Sequence, residues 1–314
     1  PRSTLILTLF PYTTLFRSTT PISEAAIMGG GVGMALAGLR PVVEMRVVDF
    51  ALCAMDEIVN QAAKNRYMFG GQGRVPLVAR MPMGIWDASA AQHSQSLEAW
   101  FAHLPGLVVV CPGNPQDNHS LLRAALQSGD PVIYLEHKTL WGQTGPVDVN
   151  LSVPLGKAAV QRVGEQVTLV SWSRQLLACQ TACEALAAQG ISVELIDLRT
   201  LWPWDRETVL NSCAKTGHLL VVHEAVQAAG FGAEIVAGRA SRAADERAGE
   251  GVAADGIGKQ RACRGTGKAA LEIGVDTACK AEKRREGESE EFSMHWRLPF
   301  CVFDLVKQSP ARRG

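Results

Sequence analysis

The sequence predicts an α/β protein with two domains, because short apolar strands alternate with amphipathic helices through its middle. Seven runs rich in Val, Ile and Leu are bounded by Gly, Pro, Asn or Asp, which is typical of strands buried on both faces of a parallel sheet. Five segments with apolar residues three and four apart separate these runs and predict helices. Strands that alternate with helices predict a three-layer α/β arrangement in each domain.

The predicted elements follow in chain order. The strands are 41–48, 75–81, 107–111, 132–136, 167–172, 192–197 and 219–223. The helices are 22–38, 54–67, 115–127, 175–189 and 206–215. Pro21 and Ser23 lie where a helix cap is expected, and Gly190 follows the fourth helix as a terminator. The stretch 141–157 has three Gly, two Pro and no periodicity. We therefore predict domains at 19–147 and 158–237, joined by a linker at 148–157.

The two ends of the chain differ in character from the middle. Residues 1–18 contain the run TLFPYTTLFRS, which resembles a translated DNA-sequencing adaptor, and we interpret this segment as an assembly artefact. Residues 238–314 contain 27 charged residues, of which 15 are basic and 12 acidic. Their Gly, Ala and Arg richness without sustained periodicity predicts a divergent, disordered tail, and a shifted reading frame is the alternative interpretation.

Composition argues against several classes of protein. The formal net charge is zero, so neither nucleic acid nor an anionic membrane is an expected partner. The sequence contains no run of 18 apolar residues, so it predicts no membrane span. Eight cysteines without a CxxC pair are typical of a reducing, cytoplasm-like compartment, and Cys179 with Cys183 predicts a packed helix face rather than a metal site. The glycines of the run 29–33 lack GxGxxG order and predict close helix packing instead.

Several long motifs carry a family resemblance. In the first half they are TTPISEAAIMGGGVGMALAGLRPVVEM, DEIVNQAAKNRYMFGG, AAQHSQSLEAWFAHLPGLVVVCPGNPQD and DPVIYLEHKTLW. In the second half they are VTLVSWS, GISVELIDLRTLWPWD, KTGHLLVVHEA and GFGAEIVA. From about residue 19 to about residue 237 the chain resembles the β subunit of the thiamin-diphosphate-dependent component of 2-oxo acid dehydrogenase complexes. The resemblance implies a transketolase-like pyrimidine-binding domain, followed by a transketolase C-terminal-like domain that is incomplete.

Three residues match the active site of that family. Glu24, in TPISE, matches the glutamate that contacts the aminopyrimidine ring of thiamin diphosphate. A carboxyl group in an apolar pocket can share a proton with a ring nitrogen, although a first-turn glutamate stabilised by the helix dipole is the alternative. Phe50 matches the aromatic residue that stacks on that ring, with an ordinary core Phe as the alternative. His93, in AAQHSQS, matches a histidine that handles the acyl group and the incoming lipoyl arm.

The resemblance also implies cofactors and partners. Magnesium and the diphosphate are normally held by a GDG…N motif, and no GDG occurs in this chain. That half of the site is therefore expected from an α subunit in an α₂β₂ heterotetramer. Relatives also bind potassium through backbone carbonyls. The matching positions are Leu77, Ala125, Leu126, Ser128 and Asp130.

The resemblance implies oxidative decarboxylation of a 2-oxo acid, with acyl transfer to the lipoyl group of an acyltransferase core. Pyruvate, branched-chain 2-oxo acids and acetoin all remain open as substrates. One alternative is a truncated, non-catalytic chain that only binds partners. Another is a nicotinamide-dependent oxidoreductase on a similar sheet, which rests on the glycine run at 29–33 and on fold analogy.

Overall fold

The computed structural model describes residues 4–8, 15–249 and 301–303, and side chains over 20–242. The described chain divides into two compact units. The first unit contains the residues up to 158 together with 172–174 and 198–205, and the second contains the remainder. Most of the predicted tail at 238–314 and parts of the predicted artefact at 1–18 lie outside the described residues.

The elements alternate between strand and helix, as the α/β prediction requires. The strands are β1 (Thr4–Thr8), β2 (Leu15–Thr19), β3 (Pro41–Glu44), β4 (Val78–Met83), β5 (Val108–Val110), β6 (Val132–His137), β7 (Ala159–Arg162), β8 (Val167–Ser171), β9 (Val193–Asp197), β10 (Thr200–Trp202), β11 (Leu219–His223) and β12 (Cys301–Phe303). The α-helices are α1 (Glu24–Leu36), α2 (Ala63–Met68), α3 (Glu98–Ala102), α4 (Pro115–Gln127), α5 (Gln175–Ala187), α6 (Arg206–Thr216) and α7 (Phe231–Gly249). Short 3₁₀-helices span Val48–Ala54, Ala91–His93 and Lys138–Leu140, and a π-helix spans Glu57–Ala62.

The first unit is a mixed sheet covered by helices on both faces. Its described strands run in the order β10-β5-β6-β4-β3-β1-β2, with β5, β6, β4 and β3 parallel and the outer strands antiparallel. Helix α4 packs its Leu121 onto the face that carries Val78 and Tyr134. Helix α1 lies on the opposite face, where Gly31 sits against Val43. This arrangement confirms the predicted three-layer order in this unit.

One glycine of the run 29–33 explains how closely α1 approaches the sheet. A Cβ at Gly31 would lie 2.4 Å from Cγ2 of Val43, so a side chain there would force the helix away. Gly30 and Gly33 face open space, and the packing prediction was wrong for them. Close packing is therefore a property of a single position, which periodic spacing of small residues does not reveal.

The segment after β3 departs most from the predicted elements. The predicted strand 41–48 ends at Glu44, because Val48, Ala51 and Ala54 are buried at every third position and the chain winds into a 3₁₀-helix. The predicted helix at 54–67 is divided between a π-helix and α2. Apolar residues at this spacing fit several helix types, so sequence periodicity alone did not separate them.

The second unit repeats the layered arrangement. Its described strands run in the order β12-β11-β8-β9-β7, with β11, β8 and β9 parallel. Helix α5 packs Leu176 against Leu169 on one face. On the other face, the hydroxyl of Thr168 exchanges hydrogen bonds of 2.7 Å with Ser212 and Thr216 of α6. Two successive residues of β8 therefore contact helices on opposite faces of the sheet.

The cysteines whose side chains are described are free thiols, and all of them except the exposed Cys53 are buried in the core. Cys179 and Cys183 are buried on one face of α5, as predicted. Burial raises the pKa of Cys179 to about 12 and that of Cys183 to about 11, so both stay protonated. Within the described residues, no group of three His, Cys, Asp or Glu side chains is placed to hold a metal ion. The described helices include none long and apolar enough to cross a membrane.

His223 makes the stability of the second unit depend on pH. It is fully buried at the end of β11, and burial lowers the pKa of its imidazole from the ordinary 6.5 to about 4. Between these values the unfolded chain binds a proton that the folded chain does not, so stability falls as the pH drops. We expect this group to account for about 2 kcal/mol of lost stability between pH 7 and pH 5.

Urea unfolding followed by circular dichroism at both pH values measures this loss. His223→Gln should remove that part of the pH dependence, whatever its effect on stability at pH 7. The matched control is His218→Gln, which removes a half-buried histidine next to the start of the same strand and should keep the loss. Equal pH dependence in wild type and His223→Gln would contradict the assignment.

Candidate active site

Glu24 is the first residue of α1. Ser23 before it is extended, with φ −153° and ψ 99°, so the helix begins at the glutamate. The Glu24 side chain is half-buried, and among the described residues it makes no hydrogen bond or ion pair. A carboxylate at a helix N-terminus is favoured by the helix dipole. Glu24 therefore offers a half-buried carboxyl group whose hydrogen-bonding capacity is available to a ligand.

Phe50 and His93 are brought into direct contact. Their ring centroids are 5.2 Å apart with an interplanar angle of 84°, an edge-to-face arrangement. Phe50 lies on the 3₁₀-helix Val48–Ala54, which packs against α1, and His93 ends the 3₁₀-helix Ala91–His93. Both side chains are half-buried, and Nδ1 of His93 is buried without a hydrogen bond among the described residues. Two of the three residues predicted for catalysis and pyrimidine binding thus form one ring pair.

The loop that carries His93, residues 84–95, is braced at its ends. The amide of Gly84 donates to the carbonyl of Gln95 at 3.0 Å and closes the loop. The side chain of Gln95 donates to Oδ1 of Asp49 at 2.8 Å. Asp49 is buried and precedes Phe50, so this bond links the chain segments of the two ring residues. Ala88 and Ala90 have φ of 48° and 60°, which costs energy that the surrounding bonds must offset.

Sequence reasoning missed two residues that hold this loop. Asp49 stands alone as a charge in the apolar run VVDFALCA, and that isolation was the available signal. Lys138 is buried, and its ammonium donates a hydrogen bond to the backbone carbonyl of His93. No local pattern marks Lys138, because the contact depends on how two distant strands align. Both residues act on the loop that presents His93.

The carbonyl groups predicted to bind potassium all accept hydrogen bonds from protein groups, two of them from Arg40. Its guanidinium donates to the carbonyls of Leu126 and Ser128 at 2.9 and 2.7 Å. The carbonyl of Leu77 accepts a hydrogen bond from the amide of Val132. The amide of Ser128 donates to the carbonyl of Ala125, and the hydroxyl of Ser128 donates to the carbonyl of Asp130. As placed, these groups do not fit a bare cation unless Arg40 is displaced. The potassium assignment stays a prediction.

A pocket of about 530 Å³ opens elsewhere in the first unit, beside the N-terminus of α4. Arg80 lines it and bridges Glu136 at 2.6 Å and Glu44 at 3.1 Å. Glu24, Phe50 and His93 do not line it. The pocket is therefore separate from the residues that the resemblance assigns to catalysis.

Comparison with known protein families assigns both units. Residues 15–143 match the transketolase pyrimidine-binding domain, and residues 156–251 match the transketolase C-terminal domain. A solved structure of a split-gene transketolase, described as an inactive β4 tetramer, superposes with a TM-score of 0.61 at 22% identity. It covers 70% of this chain and 69% of its own, and it supports the fold alone.

Curated relatives are considerably more similar in sequence. The mitochondrial pyruvate dehydrogenase E1 component subunit beta of Caenorhabditis elegans is 46% identical over 223 residues, covering 69% of this chain and 63% of that protein. The acetoin:2,6-dichlorophenolindophenol oxidoreductase subunit beta of Cupriavidus necator is 45% identical over 207 residues, covering 66% and 61%. The mitochondrial 2-oxoisovalerate dehydrogenase subunit beta of Chaetomium thermophilum is 46% identical over 224 residues, covering 69% and 48%.

The matches confirm the resemblance seen in the sequence and show how much of each relative it covers. The chain spans about half to two thirds of the length of these relatives. The two domain matches occur in the order implied by the motifs, on the two units of the fold. This chain therefore belongs to the family of transketolase-like β subunits that includes those of the pyruvate, acetoin and 2-oxoisovalerate enzymes.

Proposed function

We propose that this chain is the β subunit of a thiamin-diphosphate-dependent 2-oxo acid dehydrogenase. The reaction would be oxidative decarboxylation of pyruvate or a similar 2-oxo acid, with acyl transfer to a lipoyl group. One observation carries the proposal. Among the described residues, the half-buried carboxyl group that starts α1 has no side-chain partner, and α1 packs against the 3₁₀-helix that carries Phe50 of the Phe50–His93 ring pair.

The free hydrogen-bonding capacity at Glu24 fits an aminopyrimidine ring. A carboxyl group that faces a ring nitrogen can hold a proton between the two atoms, and removal from water favours this sharing. When bound, thiamin diphosphate supplies the electron sink for decarboxylation. The part of this chain is to hold the ring with Glu24 and to fix the position of that proton.

Phe50 and His93 complete the contribution of this chain. The half-buried face of Phe50 provides an apolar surface for a flat heterocycle, while its contact with His93 orients the ring. His93 carries an imidazole, the side chain that serves most often as general acid or base in enzymes. We assign it to the acyl-transfer step, in which the lipoyl disulfide is the oxidant. The S–S bond breaks, one sulfur takes the acyl group, and the other sulfur gains a proton that His93 would donate.

The remaining parts are assigned to partners. Magnesium and the diphosphate would be held by an α subunit in an α₂β₂ assembly, since this chain has no GDG motif. The acyl group would pass to a lipoyl acyltransferase core. A reducing compartment suits the free thiols, and a cytoplasmic location stays a prediction, because some relatives are named as mitochondrial.

Co-expression with an α-type partner tests the proposal. We expect the two chains to co-purify, to bind thiamin diphosphate with magnesium in calorimetry, and to release CO₂ from at least one 2-oxo acid. The β chain alone should bind the cofactor at least about a hundredfold more weakly, because half of the site is missing.

The substrate panel contains pyruvate, branched-chain 2-oxo acids and acetoin. Co-purification without cofactor binding would favour the alternative of a non-catalytic partner-binding chain. Binding of a nicotinamide cofactor in place of thiamin diphosphate would instead support an oxidoreductase of another class.

A further inference from the structure

We propose that Lys138 is a positioning residue for His93 and acts through the backbone of the loop at 84–95. The inference deepens the proposed function, because it names what sets the position of the imidazole assigned to acyl transfer. It rests on the register of the sheet, on one hydrogen bond and on one aromatic contact. None of these involves the cofactor.

The sheet register places Lys138 beside the loop. Strands β4 and β6 are parallel neighbours, and Met83 is paired with His137 at their carboxyl ends. After β4, Gly84 starts the loop. After β6, Lys138 starts the 3₁₀-helix Lys138–Leu140. The lysine therefore emerges where the loop departs from the sheet.

Two contacts connect Lys138 to opposite parts of the loop. Its ammonium donates to the carbonyl of His93. The same nitrogen lies 5.7 Å from the ring centroid of Trp86, within the range of a cation–π interaction. Trp86 is near the start of the loop and His93 near its end, so one buried cation ties the two parts together.

Burial makes these contacts consequential. Lys138 is only 3% exposed, and a buried ammonium is costly unless donors and charge are satisfied. A carbonyl oxygen and an aromatic face both lower that cost. Movement of the loop away from Lys138 would break both contacts at once. The loop is therefore expected to hold one position rather than several.

The imidazole of His93 depends on this indirect support. Its Nδ1 makes no hydrogen bond among the described residues, so no side-chain partner at that atom orients the ring. Its position follows from the backbone, held by Lys138, and from the edge contact with Phe50. The bond between Gln95 and Asp49 holds the end of the loop. Lys138 therefore sets the position of the His93 imidazole through the backbone, without contacting the imidazole ring itself.

Lys138→Met tests the inference in the complex of this chain with its α partner. Hydrogen–deuterium exchange of peptides from the loop at 84–95 should become about tenfold faster, because the methionine keeps the apolar stem and removes the donor and charge. The acyl-transfer rate should fall about tenfold, while KM for the 2-oxo acid changes less than about twofold. Lys138→Arg, which keeps a cationic donor, should restore most of both values.

The matched control is Lys64→Met. Lys64 also donates to a backbone carbonyl, that of Pro105 at 2.8 Å, but on an exposed surface. This variant should leave loop exchange and acyl transfer unchanged. If Lys138→Met exchanges at the wild-type rate, the inference is overturned, whatever happens to activity. If Lys138→Met does not fold, Lys138→Gln is measured in the same way, and unchanged exchange in its loop is equally decisive.

The exchange measurement separates this inference from the proposed function. It needs neither substrate nor thiamin diphosphate, so it remains decisive if the complex shows no decarboxylation. Faster exchange without any wild-type activity would support the role of Lys138 in the loop and count against the function. Normal wild-type activity together with unchanged exchange in Lys138→Met would support the proposed function and count against the role of Lys138.

Discussion

Glu24→Gln should lower the rate of 2-oxo acid decarboxylation by about a thousandfold in the complex with the α subunit. The amide has nearly the shape of the carboxyl group, but it does not share a proton with a ring nitrogen. Proton transfer by a positioned side chain contributes about 10² to 10⁴ to an enzymatic rate, and Glu24 is the carboxyl group that we assign to it. CO₂ release under saturating thiamin diphosphate measures the effect.

The same variant should keep most of its cofactor affinity. A glutamine side chain still forms hydrogen bonds, so calorimetry should give a Kd for thiamin diphosphate within about tenfold of wild type. Glu57→Gln is the matched control, since Glu57 is another half-buried glutamate and its Cγ lies beside Gly29 of α1. It should retain normal activity. Full activity of Glu24→Gln would remove the central carboxyl group from the mechanism.

His93→Ala should affect a different step. We expect acyl transfer to a lipoyl group to fall about a hundredfold, because the imidazole that would protonate the sulfur released from the lipoyl disulfide is lost. Decarboxylation measured with an artificial electron acceptor should fall less than about threefold, since that assay bypasses the lipoyl group. The two assays on one preparation give the ratio directly.

A suitable control for His93→Ala is His103→Ala. His103 is exposed at the end of α3, and its removal should change neither assay. Some loss of decarboxylation is expected from the cavity left beside Phe50, which contacts the imidazole. An equal loss in both assays would show that His93 supports the pocket as a whole and has no special part in acyl transfer.

The elements that local chemistry encodes were predicted closely. Helix α4 was predicted as 115–127 and spans those residues, because Asn114 accepts a hydrogen bond from the amide of Asp117 and Pro115 occupies the first turn. The apolar runs at 132–136 and 219–223 became β6 and β11 with at most one residue of difference. In each case the signal and the structure are both local.

Elements that depend on distant partners escaped prediction. Strand β10 is three residues long and exists because Thr200 and Trp202 pair with β5, about ninety residues earlier. Strand β7 is partly exposed on an edge and lacks a clear alternation of apolar residues. Their formation is decided by packing against the sheet, which sequence periodicity does not contain.

The candidate site divides in the same way. Glu24, Phe50 and His93 were identified because each lies in a motif that the family shares. Asp49 and Lys138 were not, because their contacts arise only when the 3₁₀-helix, the loop and β6 come together. Similarly, the potassium assignment came from position alone, and the guanidinium of Arg40 beside those carbonyls became visible only in the fold.

The placement of β10 in the first sheet has a practical consequence for anyone dissecting this protein. Its pairing with β5 is reinforced by the Arg199–Asp117 ion pair at 2.7 Å and by the Cys111 amide, which donates to the Arg199 carbonyl at 2.8 Å. A recombinant piece that stops near residue 158 would lack this strand and leave β5 with an unpaired backbone edge, a recognised cause of aggregation. Deletion endpoints chosen from the linear order of the motifs would therefore cut through one folded body, and soluble expression requires keeping residues 198–205 attached.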